Sequence, residues 1–477
     1  MAVPELEVPE ILAFLQSAEP EMLEAMGETE VIEAFRLAAD EVPGYADLLR
    51  KRHVDPGTVT DIASFRAHVP VIDKHDIFEP YGIEQLCRHG SLADVKGVLP
   101  SSGHSGVFAF SVNTLKNVQN TAKMVDLALE YCVQISRKTT LVVNTYPMGV
   151  NIHTALPVAN TGVNADIALA IVRKFAPSFE QLVLIGQPLF AKRLVEEGAE
   201  HGIDWAAIHA NVVTGGEGNA ESWRTYISRR VGLKDADRPE GRFVASSMGI
   251  GELDLNLFHE IPDTIRIVRT AYHDRALRHA LFGEGVEVCP HVFVYYPMRT
   301  FIEEIPLPGS PVGELAVSMV SPDIRNPLIR YKTGDRVKII PYRKLEEILG
   351  ARGNGLTAPR LHMPVVAVFG RREAVPVRGG AVPAETVKEA LFREYDVAAA
   401  ITGFFKARAA RGALKVELQL RPGVRPARRF IRLLDECLAA CVPPGVAVQS
   451  EFFGYKDYPY PTSYERKYPY IDRKPGA

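Results

Sequence analysis

Four short apolar runs between residues 139 and 216, "TTLVVNT", "DIALAIV", "QLVLIG" and "IHANVVTGG", constrain this chain more than any other feature. Each is the length of a strand, and helix-compatible stretches separate them. Two of the runs end on glycine. Strand–helix alternation with glycine at strand ends predicts an α/β sheet, and such sheets bind their ligands where the strands end.

Outside this block the pattern changes. Residues 5–55 are acidic and helical in period, with "ELEVPEILAFLQ" and "TEVIEAFRLAADEV", until Pro43-Gly44-Tyr45 interrupts them. "NVQNTAKMVDLALEYCV", from Asn117 to Val133, reads as a helix. Residues 285–345 read as β, with "VEVCPHVFVYYP", "GELAVSMV" and "RVKIIPY", and a proline- and glycine-rich passage follows at 350–364. After "VVAVFG" the chain restarts as a compact α+β unit, with "AETVKEALFREY" and "ARRFIRLLDECLAAC" helical and "AAAITGFF" and "ALKVELQLR" as strands. At 477 residues the chain is too long for one core, and the boundary is placed near Gly370. The expected fold is α/β: a large N-terminal domain, 1–370, of mixed sheets with flanking helices and a β subdomain, then a small α+β C-terminal domain, 371–477.

Apolar content of 47% and charged content of 24% are those of a globular chain. No apolar run is long enough to span a membrane, and "MAVPELEVPEILAFLQ" lacks the basic start of a secretory signal. Five scattered cysteines, an odd number, fit a reducing compartment, so a cytoplasmic location is expected. Cys437 and Cys441 lie one helical turn apart without a second pair to complete a zinc site, and they read as core thiols. "CPH" at 289–291 reads as structural. The net charge of -3 gives no reason to expect a nucleic-acid partner. It is unevenly spread: residues from Arg371 onward hold 19 Lys+Arg against 12 Asp+Glu, while the body before them is acidic. A basic C-terminal piece facing an acidic body suits closure over a polyanionic nucleotide; a solvated basic surface is the alternative.

Several loops carry candidate chemistry. "LPSSGHSGVFAFSVNT" has the build of a phosphate-gripping turn. Successive backbone N–H groups at Ser101, Ser102, Gly103, His104, Ser105 and Gly106 would form an anion nest, with the helix from Asn117 behind it. A plain turn is the competing reading, because Val107 stands where such loops carry lysine. "VVTGGEGNAESWR" puts Gly215, Gly216 and Glu217 at a strand end, where a flat ring can lie against backbone. "SSMGIGELDLN" places Met248, Gly249 and the carboxylate of Glu252 at another, suited to a Mg²⁺ bound through phosphates and waters. "NPLIRYKTGDRVKI" carries Asp335, an acceptor for a ribose diol. "VFGRRE" holds Arg371 and Glu373, and "SYERKYPYID" holds Lys467 among aromatics.

Taken in order, "SSGHSG", "TGGE", "MGIGE", "YKTGD", "GRRE" and the late lysine resemble the adenylate-forming superfamily of acyl-CoA synthetases, adenylation domains and luciferases. Within it the chain is similar to the phenylacetate–CoA ligase-like branch, which also holds the acyl-protein synthetases of bacterial bioluminescence. The early segment "VPGYADLLRKRHVDPGTVTDIASFRAHVPVIDKHDIF" supports that branch. The departures are His104 and Val107 for a threonine and lysine, Met248 and Gly251 for a tyrosine and a hydroxyl residue, Glu373 for aspartate, and arginine rather than glycine before Lys467.

The resemblance implies ATP-dependent activation of a small carboxylic acid to an acyl-adenylate, followed by transfer to CoA. Transfer to a protein thiol, amine or other nucleophile, or an impaired homologue with a binding role, are the alternatives. It implies that Lys467 meets the carboxylate and α-phosphate, that Asp335 holds the ribose with Arg371 nearby, and that Glu252 holds Mg²⁺. It further implies that residues 101–106, 215–217, Met248 and Gly249 cradle the nucleotide, and that the small domain turns about Glu373. The acyl pocket is expected along "NTYPMGVNIHTALP" and near Gly215, where His153 either reads the substrate or packs in the core. A monomer or homodimer is expected.

Overall fold

The parallel strands assemble side by side. The structure, a computed structural model, describes residues 7–101, 106–147, 149–233, 242–352, 355–371, 373–378, 380–410 and 413–472. Helices α1 (Val8–Ser17), α2 (Pro20–Glu41) and α3 (Pro43–Lys51) open the chain, followed by the short α4 (Ile62–His68) and α5 (Lys74–Ile77). Pro43 interrupts the apolar spacing by opening a new helix, where its missing N–H has no partner to lose. An antiparallel hairpin, β1 (Val95–Pro100) and β2 (Phe110–Thr114), precedes α6 (Leu115–Val133), which Thr114 caps by accepting from the Asn117 amide.

Next come β3 (Thr140–Asn144), β4 (Val158–Asn160), α7 (Ala165–Phe175), β5 (Gln181–Gly186), α8 (Pro188–Glu200), β6 (Ala210–Thr214), α9 (Glu221–Arg230) and β7 (Val244–Ile250). Then β8 (Asp254–His259), α10 (Pro262–His273), α11 (Arg275–Phe282), β9 (His291–Val294), β10 (Thr300–Ile305), β11 (Gly313–Met319), β12 (Tyr331–Ile340), α12 (Tyr342–Arg352) and β13 (Val365–Arg371) complete the body. One eleven-stranded sheet runs β10-β11-β12-β13-β9-β8-β7-β6-β5-β3-β4. It is parallel from β4 to β7 and antiparallel from β7 onward.

One expected strand is a helix. "DIALAIV" lies in α7, where Asn164 caps the amide of Ile167 and Ala165, Ala168, Leu169 and Val172 are buried at helical spacing. An apolar run this short fits either period, and the cap together with the i, i+3, i+4, i+7 burial decides it. Likewise "AAAITGFF" is extended only from Ile401 onward, its first three residues ending a helix.

The C-terminal unit holds the hairpin β14 (Ala374–Val377) and β15 (Gly380–Pro383), then α13 (Ala384–Arg393), α14 (Tyr395–Ala400), β16 (Ile401–Ala410), β17 (Ala413–Leu420), α15 (Arg428–Cys441) and β18 (Val448–Phe453). Strands β16, β17 and β18 form a three-stranded sheet, and the tail returns to bridge Ile471 to Ala407.

Helices α6, α10 and α11 cover one face of the parallel strands. Helices α7, α8 and α9 cover the other in a cluster that continues without a break into the C-terminal unit, from Phe190 and Trp223 to Phe404 and Leu418. A third cluster packs α2 to α4 on β10 to β12. Among the described residues no helix is long and apolar enough to cross a membrane.

The contact between α8 and β16 is close. Lys192 is fully buried and donates to Glu196 Oε1 at 2.6 Å and to the Ile401 carbonyl at 2.7 Å. Burial lowers its pKa to about 8 despite the Glu196 carboxylate. Gly403 has φ +97°, and a Cβ there would lie 2.6 Å from Leu189 Cδ2. Gly403→Ala is therefore expected to cost about 1–3 kcal/mol through overpacking, with backbone strain adding to it. Urea unfolding measures this, and an unchanged midpoint would contradict the close docking.

Candidate active site

A cavity of 2470 Å³ opens at the carboxyl ends of β5, β6 and β7, between the β1–β2 hairpin and the C-terminal unit. The topology brings most of the sequence-predicted residues onto its wall. Ser101, Gly216, Glu217, Met248, Gly249, Glu252, Asp335, Arg371, Glu373, Lys467 and His153 all line it.

The glycine loop falls in sequence between β1 and β2, which pair as a hairpin. Its neck is closed by Ser101, whose amide donates to the Ala109 carbonyl at 2.7 Å and whose Oγ accepts from the Ala109 amide at 2.9 Å. Ser102, Gly103, His104 and Ser105 lie outside the described residues, and Gly106 follows with φ +88°. The expected helix behind the loop is elsewhere. Strand β2 carries the chain away before α6 begins, roughly 15 Å at strand rise, so the α6 N-terminus does not back the loop. Its neighbour is the β7–β8 turn, because a Cβ on Gly251 would lie 2.5 Å from the Pro100 carbonyl oxygen. That contact sets Glu252 beside the neck.

Glu252 Oε1 accepts from the Tyr331 hydroxyl at 2.9 Å. Asp335 and Arg371 are cross-strand partners on β12 and β13, with Nε 3.5 Å from Oδ1. Asp335 is only 8% exposed, and what remains faces the cavity. Gly215 packs against the Tyr146 hydroxyl and 2.8 Å, measured from an added Cβ, from the Ser247 carbonyl. His153 sits on the loop after β3, exposed on the cavity wall rather than packed in the core.

Lys467 enters from the C-terminal tail. Its surface stays open to the cavity while protein crowds around it. This enclosure, and then the Arg371 guanidinium, lower its pKa; Asp335, Glu217 and Glu252 pull the other way. A cation from the C-terminal tail is thus set among groups that the sequence singled out separately.

Three features were not anticipated. The Glu217 carboxylate is taken by Lys388 of α13, 3.0 Å away, which also donates to the Gly218 carbonyl at 2.8 Å and lies 4.2 Å from the Tyr470 ring centre. Glu217 therefore ties the strand-end loop to the C-terminal unit. Lys74, opening α5, lines the cavity and makes no ion pair with a described residue.

Beneath the loop after β6 lies a buried charge network. Arg224 donates to Glu260 at 2.8 and 2.7 Å and to Glu221 at 2.8 Å. His291 Nδ1 donates to Glu260 Oε1 at 2.9 Å, and its Nε2 lies 3.2 Å from the Asn219 amide nitrogen. Asn219 donates in turn to Thr214 and Ser246. The "CPH" doublet is thus structural, a brace for the cavity wall. Of this network the sequence reading singled out only His291, within "CPH", and named no partner for it.

Burial pushes the Glu260 carboxyl up, but Arg224 and His291 more than offset it and hold it at about 2. A depressed folded-state pKa gives stability that is complete above the ordinary carboxylate range near ~4.3 and lost as pH falls toward 2. Arg224→Met leaves Glu260 buried without its main counter-charge, and a loss of about 3–5 kcal/mol is expected in urea unfolding at neutral pH. A loss below about 1 kcal/mol would mean that the network does not brace the wall.

No protein-family model and no curated protein matches the chain by sequence. Solved structures do match by shape. A crystal structure of 2-hydroxyisobutyryl-CoA ligase in the postadenylation state with R3-HIB-AMP superposes with a TM-score of 0.70 at 12% identity, covering 97% of this chain and 92% of that one. The same ligase with 2-HIB-AMP and CoA in the thioesterification state gives 0.54 at 14% identity, covering 95% and 89%. An anthranilate CoA ligase with anthranoyl-AMP gives 0.50 at 12% identity, covering 78% and 66%. The chain has the fold of the adenylate-forming CoA ligases.

Proposed function

We propose that this protein uses ATP to convert a carboxylic acid into an acyl-adenylate and then passes the acyl group to the thiol of CoA. The observation that carries this reading is the convergence of Lys467, from the C-terminal tail, on Asp335, Arg371 and Glu252 in one cavity. In the first step a carboxylate oxygen attacks the α-phosphorus, the bond to the bridging oxygen breaks, and pyrophosphate leaves with the electron pair. Such a reaction needs positioning and charge stabilisation more than covalent help. Asp335 accepts from the ribose hydroxyls, and Lys467 donates to the carboxylate and α-phosphate oxygens as charge builds there. His153 faces the acyl end.

Lys74 answers the missing loop lysine. Val107 cannot hold a phosphate, but the Lys74 ammonium, which lines the cavity, would supply the positive charge. Glu252 suits a Mg²⁺ held mainly by phosphates: one oxygen is bound by Tyr331, the other has no hydrogen bond from a described residue, and no cluster of three acidic, histidine or cysteine groups surrounds it among the described residues. Such an ion supplies charge neutralisation at the leaving pyrophosphate.

In the second step the thiol attacks the acyl carbonyl and AMP departs. Residues 371–477 are proposed to turn about Glu373 between the steps, releasing the Lys388–Glu217 tie. The higher similarity to a postadenylation structure supports assigning the present arrangement to the adenylating half. The phenylacetate–CoA ligase-like branch is proposed from the segment at 42–78 alone.

ATP–pyrophosphate exchange with a panel of acids tests the reading, and a thioester on adding CoA tests the acceptor. Lys467→Ala is expected to lower exchange by about 100-fold or more while ATP still binds. The ammonium is the working form, so wild-type exchange should fall at a pH below the ordinary lysine value of 10.5, and Lys467→Arg should remove that alkaline limb. Unchanged exchange in Lys467→Ala would refute the assignment. Asp335→Ala is expected to raise the KM for ATP roughly tenfold, from loss of hydrogen bonds to a charged acceptor. Wild-type ATP dependence in that variant would leave Asp335 a turn residue.

A further inference from the structure

The cavity extends well beyond the nucleotide end. Along α6 it is lined by Thr121, Val125, Ala128, Leu129 and Cys132, one face of the helix followed over three turns. The eleven helical rises from Thr121 to Cys132 make this wall about 16 Å long. The opposite wall is the parallel sheet. Ile185, Val213 and Ala245 stand in register on β5, β6 and β7 and face α6, and Phe243 lies one step deeper on the same face. From Ser247 at the mouth to Phe243 is about 13 Å at strand rise. The two walls give similar depths from unrelated geometries.

The walls also agree in chemistry. No residue of α6, β5, β6 or β7 that lines the cavity is charged. His259, next to Ser247 on β8, is the ionisable group closest to the mouth on this side among the described lining residues of β8; burial pushes its pKa down to about 4, and it stays neutral. The charged groups that line the cavity, among them Lys467, Asp335, Glu260, Arg278 and Glu389, stand on other elements, and Glu260 is turned to Arg224 and His291. Leu129 and Cys132 are buried in the structure as a whole yet border the void, so the tunnel enters the apolar cluster itself.

We infer that this tunnel selects a linear, medium-length aliphatic carboxylate, its head at Ser247 and Lys467 and its tail between α6 and the sheet. The inference rests on the acyl-activating reading above and names the substrate class for it. An all-trans chain with bonds of about 1.5 Å advances a little less than that per bond, so the depth takes on the order of ten carbons. Short branched acids would leave most of the tunnel empty, forfeiting the burial that each methylene contributes, about 0.8 kcal/mol. Flat aromatic acids would fill only its upper part.

Exchange assays with butyrate, hexanoate, octanoate, decanoate, benzoate, anthranilate and 2-hydroxyisobutyrate test this. Octanoate or decanoate should exceed each compact acid in kcat/KM by about tenfold or more. Ala128→Trp closes the tunnel midway, and it should cost decanoate at least about tenfold while butyrate changes by less than about threefold. Cys132→Phe, nearer the end, should move the optimum to a shorter chain without removing octanoate, and it serves if the tryptophan variant does not fold. A preference for a compact acid, or equal losses for all acids in a folded variant, would overturn the proposal. Calorimetric titration of decanoate separates this proposal from the reading beneath it. Decanoate that binds the wild type and not Ala128→Trp, with no exchange by any acid, would leave the tunnel standing and remove the adenylation chemistry. Failure of decanoate to bind the wild type would overturn the tunnel.

Discussion

The site exists only while the C-terminal unit stays docked along α8 and α9, and a single fully buried amine marks how that docking is built. Lys192 rises from α8, and one of its two partners, the Ile401 carbonyl, belongs to the other unit. A buried ammonium must find partners or lose its proton, so separation of the units trades this carbonyl for water. Around it the contact is apolar and aromatic: Phe190 meets Tyr464 edge-on, and Tyr226 stacks obliquely on Tyr395. Glu389 of α13 accepts from Tyr272 and carries a carbonyl that accepts from Ser222. Because Lys467, Lys388 and Tyr470 all arrive on this unit, the cavity is complete only in the docked arrangement.

This makes the active arrangement a competition between two environments of the same residues. Glu217 is neutralised by Lys388, and Lys467 sits between an arginine that repels it and three carboxylates that attract it. A polyanionic nucleotide adds negative charge to that end of the cavity and favours the charged form of Lys467. Its departure as pyrophosphate and AMP removes that bias. In the proposed reaction, nucleotide chemistry and domain position would be coupled through the same few charges, across an interface that is largely apolar. In the proposed reading the acid's chain lies along α6 and β5 to β7, whose lining residues carry no charge.

Much of this was legible in the sequence, and the reasons are local. A strand end followed by "TGGE" can be read from apolar length and glycine, and the structure sets it on the cavity rim. "YKTGD" and "GRRE" read as separate turns, and β12–β13 pairing makes Asp335 and Arg371 neighbours. What sequence could not give is long-range partnership: Arg224 with Glu260, His291 with Asn219, Lys388 with Glu217. Each of those pairs joins elements that only the completed fold brings together. "DIALAIV" went wrong because a short apolar run fits two periods and its cap lies outside the run. The loop helix was misplaced because the strand β2 between loop and helix was not recognised. Ser102 to Ser105 lie outside the described residues, so the proposed phosphate site is argued from Lys74, Glu252 and the hairpin neck.

The most direct test of the central claim follows the oxygen of the acid. The protein is given ATP and a carboxylic acid labelled with ¹⁸O in its carboxylate, then CoA, and the products are weighed by mass spectrometry. If Lys467 and Asp335 align the carboxylate on the α-phosphorus, one ¹⁸O atom appears in AMP for each thioester formed, and none appears in pyrophosphate. Label in inorganic phosphate, with ADP as the nucleotide product, would place the attack at the γ-phosphorus and contradict the account.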